Sequence, residues 1–402
     1  MVFGNLFRDK NKDLSKKIAE AILCNKAKSL PAAVTGRHNM SVRKLMAAAA
    51  LGGGLALAPI AASAADFSGK TVTIIVPFKE GGGASRYGRT FQPFLAKYLP
   101  GKPKIVVLNK PGGSSILGAN YFQKQKGDGL TLLTCSTSTM TSFLFGGSKV
   151  KYDPNSWRVA IANPLGTAFY ARSDQTGITG KNAKKDVEAL RKANLVFGAK
   201  NKTSAELRAF LAFDILGFFP KPVFGLSTGK QRKAILRGEL NINYDSAAKY
   251  NKSVTKWVKK GTVTPLMNLG LLLPDGSVVK DPFLGAESPS VVEMYQSVHG
   301  GKKPSGTHWQ VLKNFIAMGV SASKSMALPP GTSDDVYNTY VDTFKKIYKD
   351  PKFLDIVKKD MGKYPHSFGK DAQAVIKFAT TMTPENKKWM NAWLEKKFGG
   401  SS

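Results

Sequence analysis

Cysteine is nearly absent from this 402-residue chain, which holds two, Cys24 and Cys135. Because Cys24 lies in a segment with the marks of removal, one thiol remains, and a disulfide framework is excluded; stability must come from a buried core. Histidine is as sparse. His38, His299, His308 and His366 stand far apart, with no cysteine or carboxylate at ligand spacing, which argues against a metal centre. Acidic residues are few, 27 against 60 lysines and arginines, giving a formal charge of +33. Such an excess suits nucleic acid, an anionic surface or an anionic ligand. The basic residues are scattered in pairs such as Lys184-Lys185, Lys259-Lys260 and Lys302-Lys303, without the aromatic platform that stacks bases, so no nucleic-acid partner is expected. Long apolar runs are also missing beyond residue 65.

The one such run upstream has a particular order. Met40-Ser-Val-Arg43-Lys44 is basic, residues 45–60 are apolar and rich in Ala and Gly, and Ala62-Ser63-Ala64 is a small-residue site. That order fits a secretory signal peptide over 40–64 cleaved after Ala64, and so a periplasmic protein; a retained membrane anchor is the alternative. Residues 1–39 precede the signal as a leader of doubtful status, read more readily as an upstream start than as a long cytosolic leader.

About 340 residues then remain, enough for two lobes. Thr71-Val-Thr-Ile-Ile-Val-Pro77 is a buried-strand pattern that runs into Phe78-Lys79-Glu80-Gly81-Gly82-Gly83 and a helix with Tyr87, Phe91, Phe94, Leu95 and Tyr98 at helical spacing. Three glycines at a helix start leave backbone N–H groups open to an anion. No Lys-Ser/Thr follows them as in a P-loop, and the dinucleotide Gly-x-Gly-x-x-Gly spacing is missing, so no cofactor is expected. Strands at 104–108 and 130–134, with a helix between them at 115–125, give β-α-β-α-β order. Ligands of such sheets bind beyond the carboxyl ends of the strands, where Cys135-Ser136-Thr137-Ser138 also falls.

The order repeats. Asn194–Phe197 leads into Gly198-Ala199-Lys200-Asn201-Lys202-Thr203-Ser204 and a helix reaching Leu216, followed by strand 221–224, helix 229–236 and strand 240–244. Arg158–Ile161 with Ala168–Ala171, and Val263–Met267, read as strands that cross between lobes. Two crossings require the C-terminal segment to complete the first lobe, through a helix capped by Thr332 or Ser333 with Asp334 and Asp335 in its first turn. The fold class expected is α/β: a two-lobed clamshell, each lobe a mostly parallel sheet flanked by helices. Lobe 1 takes residues 66–170 and 267–402, and lobe 2 takes 171–266.

Several motifs in this order resemble the solute receptors of the tripartite tricarboxylate transporter system, also called Bug receptors. Val76-Pro77-Phe78 to Gly81-Gly82-Gly83 with Arg89, Asn109-Lys110-Pro111-Gly112-Gly113, Asp128-Gly129-Leu130-Thr131-Leu132-Leu133, Arg237-Gly238-Glu239, Pro289-Ser290-Val291-Val292-Glu293 and Leu328-Pro329-Pro330-Gly331-Thr332 carry the likeness across 66–398. The resemblance implies an extracytoplasmic receptor, a monomer, that closes on a small organic carboxylate and hands it to membrane permease subunits. It places the ligand at Phe78, Gly81, Gly82, Gly83 and Ser85; at Ser136, Thr137 and Ser138; at Gly198, Ala199, Lys200, Asn201, Thr203 and Ser204; and at Tyr244, Asp245 and Ser246. Two departures stand out. Ser85 replaces the usual Asp, and Lys200, Asn201 and Lys202 replace glycines, so a lysine there supplies direct charge to the ligand or points to solvent. No catalytic residue is expected: Cys135 has no neighbouring base in the local sequence and reads as a packed thiol. A sensor or scavenger on the same scaffold is the second reading, and an enzyme the third.

Overall fold

The computed structural model describes residues 65–399 except 274, 287 and 363; the leader and signal segments lie outside the described residues. Two sheets carry the chain. In the first, β1 (Thr71–Val76) lies between β2 (Lys104–Asn109) and β3 (Thr131–Ser136), all parallel, with Ile74 aligned to Val107 on one side and Leu132 on the other. A strand paired on both edges and covered on both faces must be apolar along its length, and Val72, Ile74, Ile75 and Val76 are buried. In the second sheet, β6 (Val196–Gly198) lies between β7 (Lys221–Val223) and β8 (Ile242–Ser246), again parallel.

Each sheet is mixed. β4 (Arg158–Asn163) belongs to the first sheet and β5 (Thr167–Ala171) to the second, so the chain crosses within residues 164–166. β5 is antiparallel to β8 and to β9 (Thr264–Asn268), so the second sheet begins a few residues before the 170/171 boundary expected and ends just past the 266/267 one. Two short strands, β10 (Leu271–Leu272) and β11 (Val278–Val279), form a hairpin after it. The first sheet is then completed by β12 (Lys324–Leu328), inserted antiparallel between β3 and β4, and by β13 (Ser367–Phe368) at the edge beside β4. The antiparallel halves arise because β12 and β5 enter their sheets after crossovers instead of through β-α-β units.

The C-terminal completion rests on one aromatic cluster. Phe91, from helix 83–98, lies 5.4 Å from Phe344 of helix Asp334–Ile347 and 4.8 Å from Phe353. Ser333 caps the 334–347 helix by accepting from the Val336 amide, with Asp334 and Asp335 in the first turn as the helix dipole favours.

Candidate functional site

The site is built where strand ends of both sheets meet. After β3, Thr139 Oγ1 accepts the Ser136 amide and helix Thr137–Phe145 begins, with Thr137 and Ser138 buried. After β6, the chain turns through 199–206 into helix Leu207–Ile215. The two starts touch: the Ala205 amide donates to Ser138 Oγ at 3.3 Å, and Asn201 Nδ2 donates to Ser114 Oγ at 2.9 Å. The Asn201 side chain also accepts from the Thr203 amide, an Asx-type bond that holds the turn.

Charge is concentrated at this junction. Glu206 is fully buried and receives Lys200 Nζ, Ser204 Oγ and, at 3.0 Å, Tyr244 OH. Burial raises its carboxyl, but the Lys200 charge and these hydrogen bonds outweigh that and hold it down at about 2. Arg208 is 6% exposed. It donates from Nη1 to the Gly319 carbonyl at 2.7 Å and to Thr137 Oγ1 at 3.4 Å, and lies 4.8 Å from the centre of the Tyr244 ring. Its Nε is buried without a hydrogen-bond partner. Lys324 opens β12, level with Ser136 of β3 and Asn163 of β4, and its Nζ donates to the Ser323 carbonyl at 2.9 Å. Desolvation, with the charges of Arg208, Lys200 and Arg86, pushes its ammonium down to about 7. Among the described residues neither Arg208 nor Lys324 forms an ion pair, and Glu206, bonded to Lys200, is the acid at the junction. Three cations, Arg208, Lys200 and Arg86, therefore act on Lys324, while the carboxylate of Glu206 is held by Lys200. The buried Arg208 Nε–H is left with room for one further acceptor.

Backbone geometry supports the arrangement. Helix Gly306–Ile316 passes into a wider π turn over Ala317–Ser321, which delivers the Gly319 carbonyl to Arg208. A Cβ at Gly319 would lie 2.6 Å from Arg208 Cδ and Nη1, so the approach needs glycine. In the first turn, Gly81 has φ +73°, and Gly81 and Gly83 face open space. Arg86 Nη1 donates to the Gly81 carbonyl at 2.6 Å, Asn109 Nδ2 to the Phe78 carbonyl at 2.9 Å, and Arg89 Nη2 to Glu80 and Asn109, which fixes the loop.

The expected site residues divide accordingly. Thr137, Ser138, Lys200, Asn201, Ser204 and Tyr244 are gathered at the junction by the contacts above. Phe78, Gly81, Gly82 and Gly83 form the adjoining turn, and Ser85 Oγ is buried there without a partner. Gly198 and Ala199 belong to the second lobe's interior: a Cβ on Gly198 would lie 2.9 Å from Gln231 and Leu240, and the Ala199 amide is spent on Val223. Asp245 is turned inward to Arg232 at 2.7 Å and Tyr170 at 3.0 Å, and Ser246 precedes the next helix. Lys202 points away and donates to the Gly399 carbonyl. Cys135 is buried, and desolvation pushes its thiol up to about 12. Arg208 and Lys324 escaped the sequence reading. Their signal was a lone charge within an apolar stretch: Arg208 inside Leu207–Phe213, and Lys324 at the head of Ser325-Met-Ala-Leu328.

No protein-family model and no curated protein matches the chain. Solved structures do. The periplasmic binding protein BugD superposes with a TM-score of 0.59 at 19% identity, covering 80% of this chain and 97% of BugD. R. palustris Rpa4515 with adipate gives 0.59 at 16%, covering 82% and 98%, and a TctC solute-binding protein from Polaromonas 0.55 at 19%, covering 80% and 98%. The chain thus has the two-lobed fold of periplasmic binding proteins. Within that class, the structures it resembles are solute-binding proteins of the TctC and Bug type.

Proposed function

We propose that this protein is an extracytoplasmic solute receptor that captures a small organic carboxylate between its lobes and delivers it to membrane permease subunits. The observation that carries the reading is the excess of positive charge at the junction: Arg208 and Lys324 lack an acid partner, and Lys200 and Arg86 stand close enough to add to the field. A carboxylate there would accept from the free Arg208 Nε and from Lys324 while the helix start at Thr137 faces it. The superposition on a protein with bound adipate supports an acid as the guest. No helix among the described residues is long and apolar enough to cross a membrane. Lobe closure is the working step, since excluding water strengthens each charged hydrogen bond.

A thermal-shift screen with adipate, malate, citrate and benzoate tests this. At least one acid should raise the melting temperature of the wild type and fail to raise that of Arg208→Gln. No shift with any of the four, or equal shifts in both proteins, overturns the reading.

A further inference from the structure

We propose that one face of the second lobe, made by helix Thr228–Arg237 and the helical segment 247–259, is a docking surface for anionic phospholipid that holds the protein at a membrane. The proposal goes beyond the receptor reading and stands without it. Residues 227–261 carry nine lysines and arginines, the Lys259-Lys260 pair among them, against two acids, Glu239 and Asp245. Both acids are already engaged. Glu239 accepts from Arg237 at 2.6 and 2.8 Å, and Asp245 is buried and bonded to Arg232 at 2.7 Å.

The fold gathers these cations on one surface. Ala234 and Ile235 of the first segment share a core with Ala247, Tyr250 and Val254 of the second and with Tyr170 of β5. Both segments therefore lie on the same side of the second sheet and turn their polar faces outward. Between them opens a cavity of about 300 Å³, lined by Gly229, Arg232, Lys233, Leu236, Lys249 and Trp257. Lys233 is exposed, Lys249 is half-buried, and Lys260, one turn beyond Trp257, is exposed where the segment ends. Burial, and then the Arg232 guanidinium, push the Lys249 ammonium down, as for a cation that lacks a counter-charge.

Two features favour a bilayer over a soluble acid. Leu236, 41% exposed, lines the same cavity as the indole of Trp257, and such side chains seat at the boundary between headgroups and acyl chains. The lysines are separate point charges on flexible stems, which follow mobile headgroups and bury their methylenes while the ammonium reaches phosphate. The cavity itself has the volume for one phosphodiester headgroup.

Sedimentation of the full chain with vesicles of POPC alone, and of POPC with about 30% POPG, tests this. The wild type should bind the anionic vesicles and leave them at about 0.5 M salt. Lys233→Gln/Lys249→Gln/Lys260→Gln should bind about a hundredfold more weakly, about fivefold for each charge. Lys184→Gln/Lys185→Gln/Lys303→Gln removes three exposed charges elsewhere and should stay within about threefold of the wild type. Leu236→Ala should lose about fivefold with its salt dependence unchanged. Residues 1–64 are common to all these chains, so the differences belong to the face. Equal loss in the two triple variants, or binding to POPC as strong as to POPC with POPG, overturns the proposal. Release from the vesicles by inorganic phosphate or by polyglutamate at constant ionic strength overturns it too, assigning the cavity to a free oxyanion or the face to an acidic protein.

Discussion

Removing the Lys324 charge should stabilise the empty protein, and the size of the effect follows from its surroundings. The ammonium falls from 10.5 to about 7 because it is desolvated and faces Arg208, Lys200 and Arg86. At 1.36 kcal/mol per unit, holding it charged at pH 7 costs about 4 kcal/mol as a ceiling. The hydrogen bond to the Ser323 carbonyl returns about 1 kcal/mol, and partial exposure of the side chain reduces the remainder, leaving about 2 kcal/mol. Lys324→Met should then raise the melting temperature by about 4–8 °C at pH 6–7. The sign of the pH dependence is fixed. The folded group releases its proton more readily than the unfolded one, so the penalty is fully present below about 7 and disappears as pH rises toward 10.5. The two proteins should therefore converge in alkali. Thermal melts of both from pH 6 to 10 provide the assay. A Lys324→Met variant that is no more stable at neutral pH, or a gap that does not narrow with pH, refutes the reasoning.

Other substitutions separate the parts of the site. Glu206→Gln leaves Lys200 without its anion and should cost about 3–5 kcal/mol in urea melts at pH 7. Because the folded carboxyl titrates at about 2, below its unfolded value, its contribution is present above 4.5 and is lost as pH falls toward 2; acid melts of wild type and Glu206→Gln should converge there. Gly319→Ala pushes Arg208 off its carbonyl partner and should weaken carboxylate binding about tenfold by calorimetry, whereas unchanged affinity would dismiss the role of that approach. Lys202→Ala, whose side chain is bonded to the Gly399 carbonyl, should leave affinity within about twofold. Cys135 should resist thiol reagents in the native protein and react in denaturant, consistent with burial and a raised thiol.

The repeated β-α-β order, the Gly81–Gly83 turn and the Ser333 cap were legible because each is a local pattern: an apolar run, a helical spacing, a capping residue with acids behind it. Strand β12 was not. Lys324-Ser-Met-Ala-Leu328 has no β-branched residue, and its place between β3 and β4 is set by long-range pairing. The crossing at 164–166 was misjudged by a few residues for a related reason, since Phe169-Tyr170 reads equally well as a strand of either sheet. At the site, Lys200 and Asn201 were visible as departures from glycine. Arg208 and Lys324 are more than a hundred residues apart, and only the fold makes them neighbours across the junction. The π turn that brings the Gly319 carbonyl to Arg208 has no sequence period of its own.

The most direct measurement is a crystal structure of the protein with the tightest-binding acid of the panel. The account predicts a carboxylate between the lobes, within hydrogen-bond distance of Arg208 Nε and Lys324 Nζ. An acid bound elsewhere, with both groups left without an anion, would contradict it.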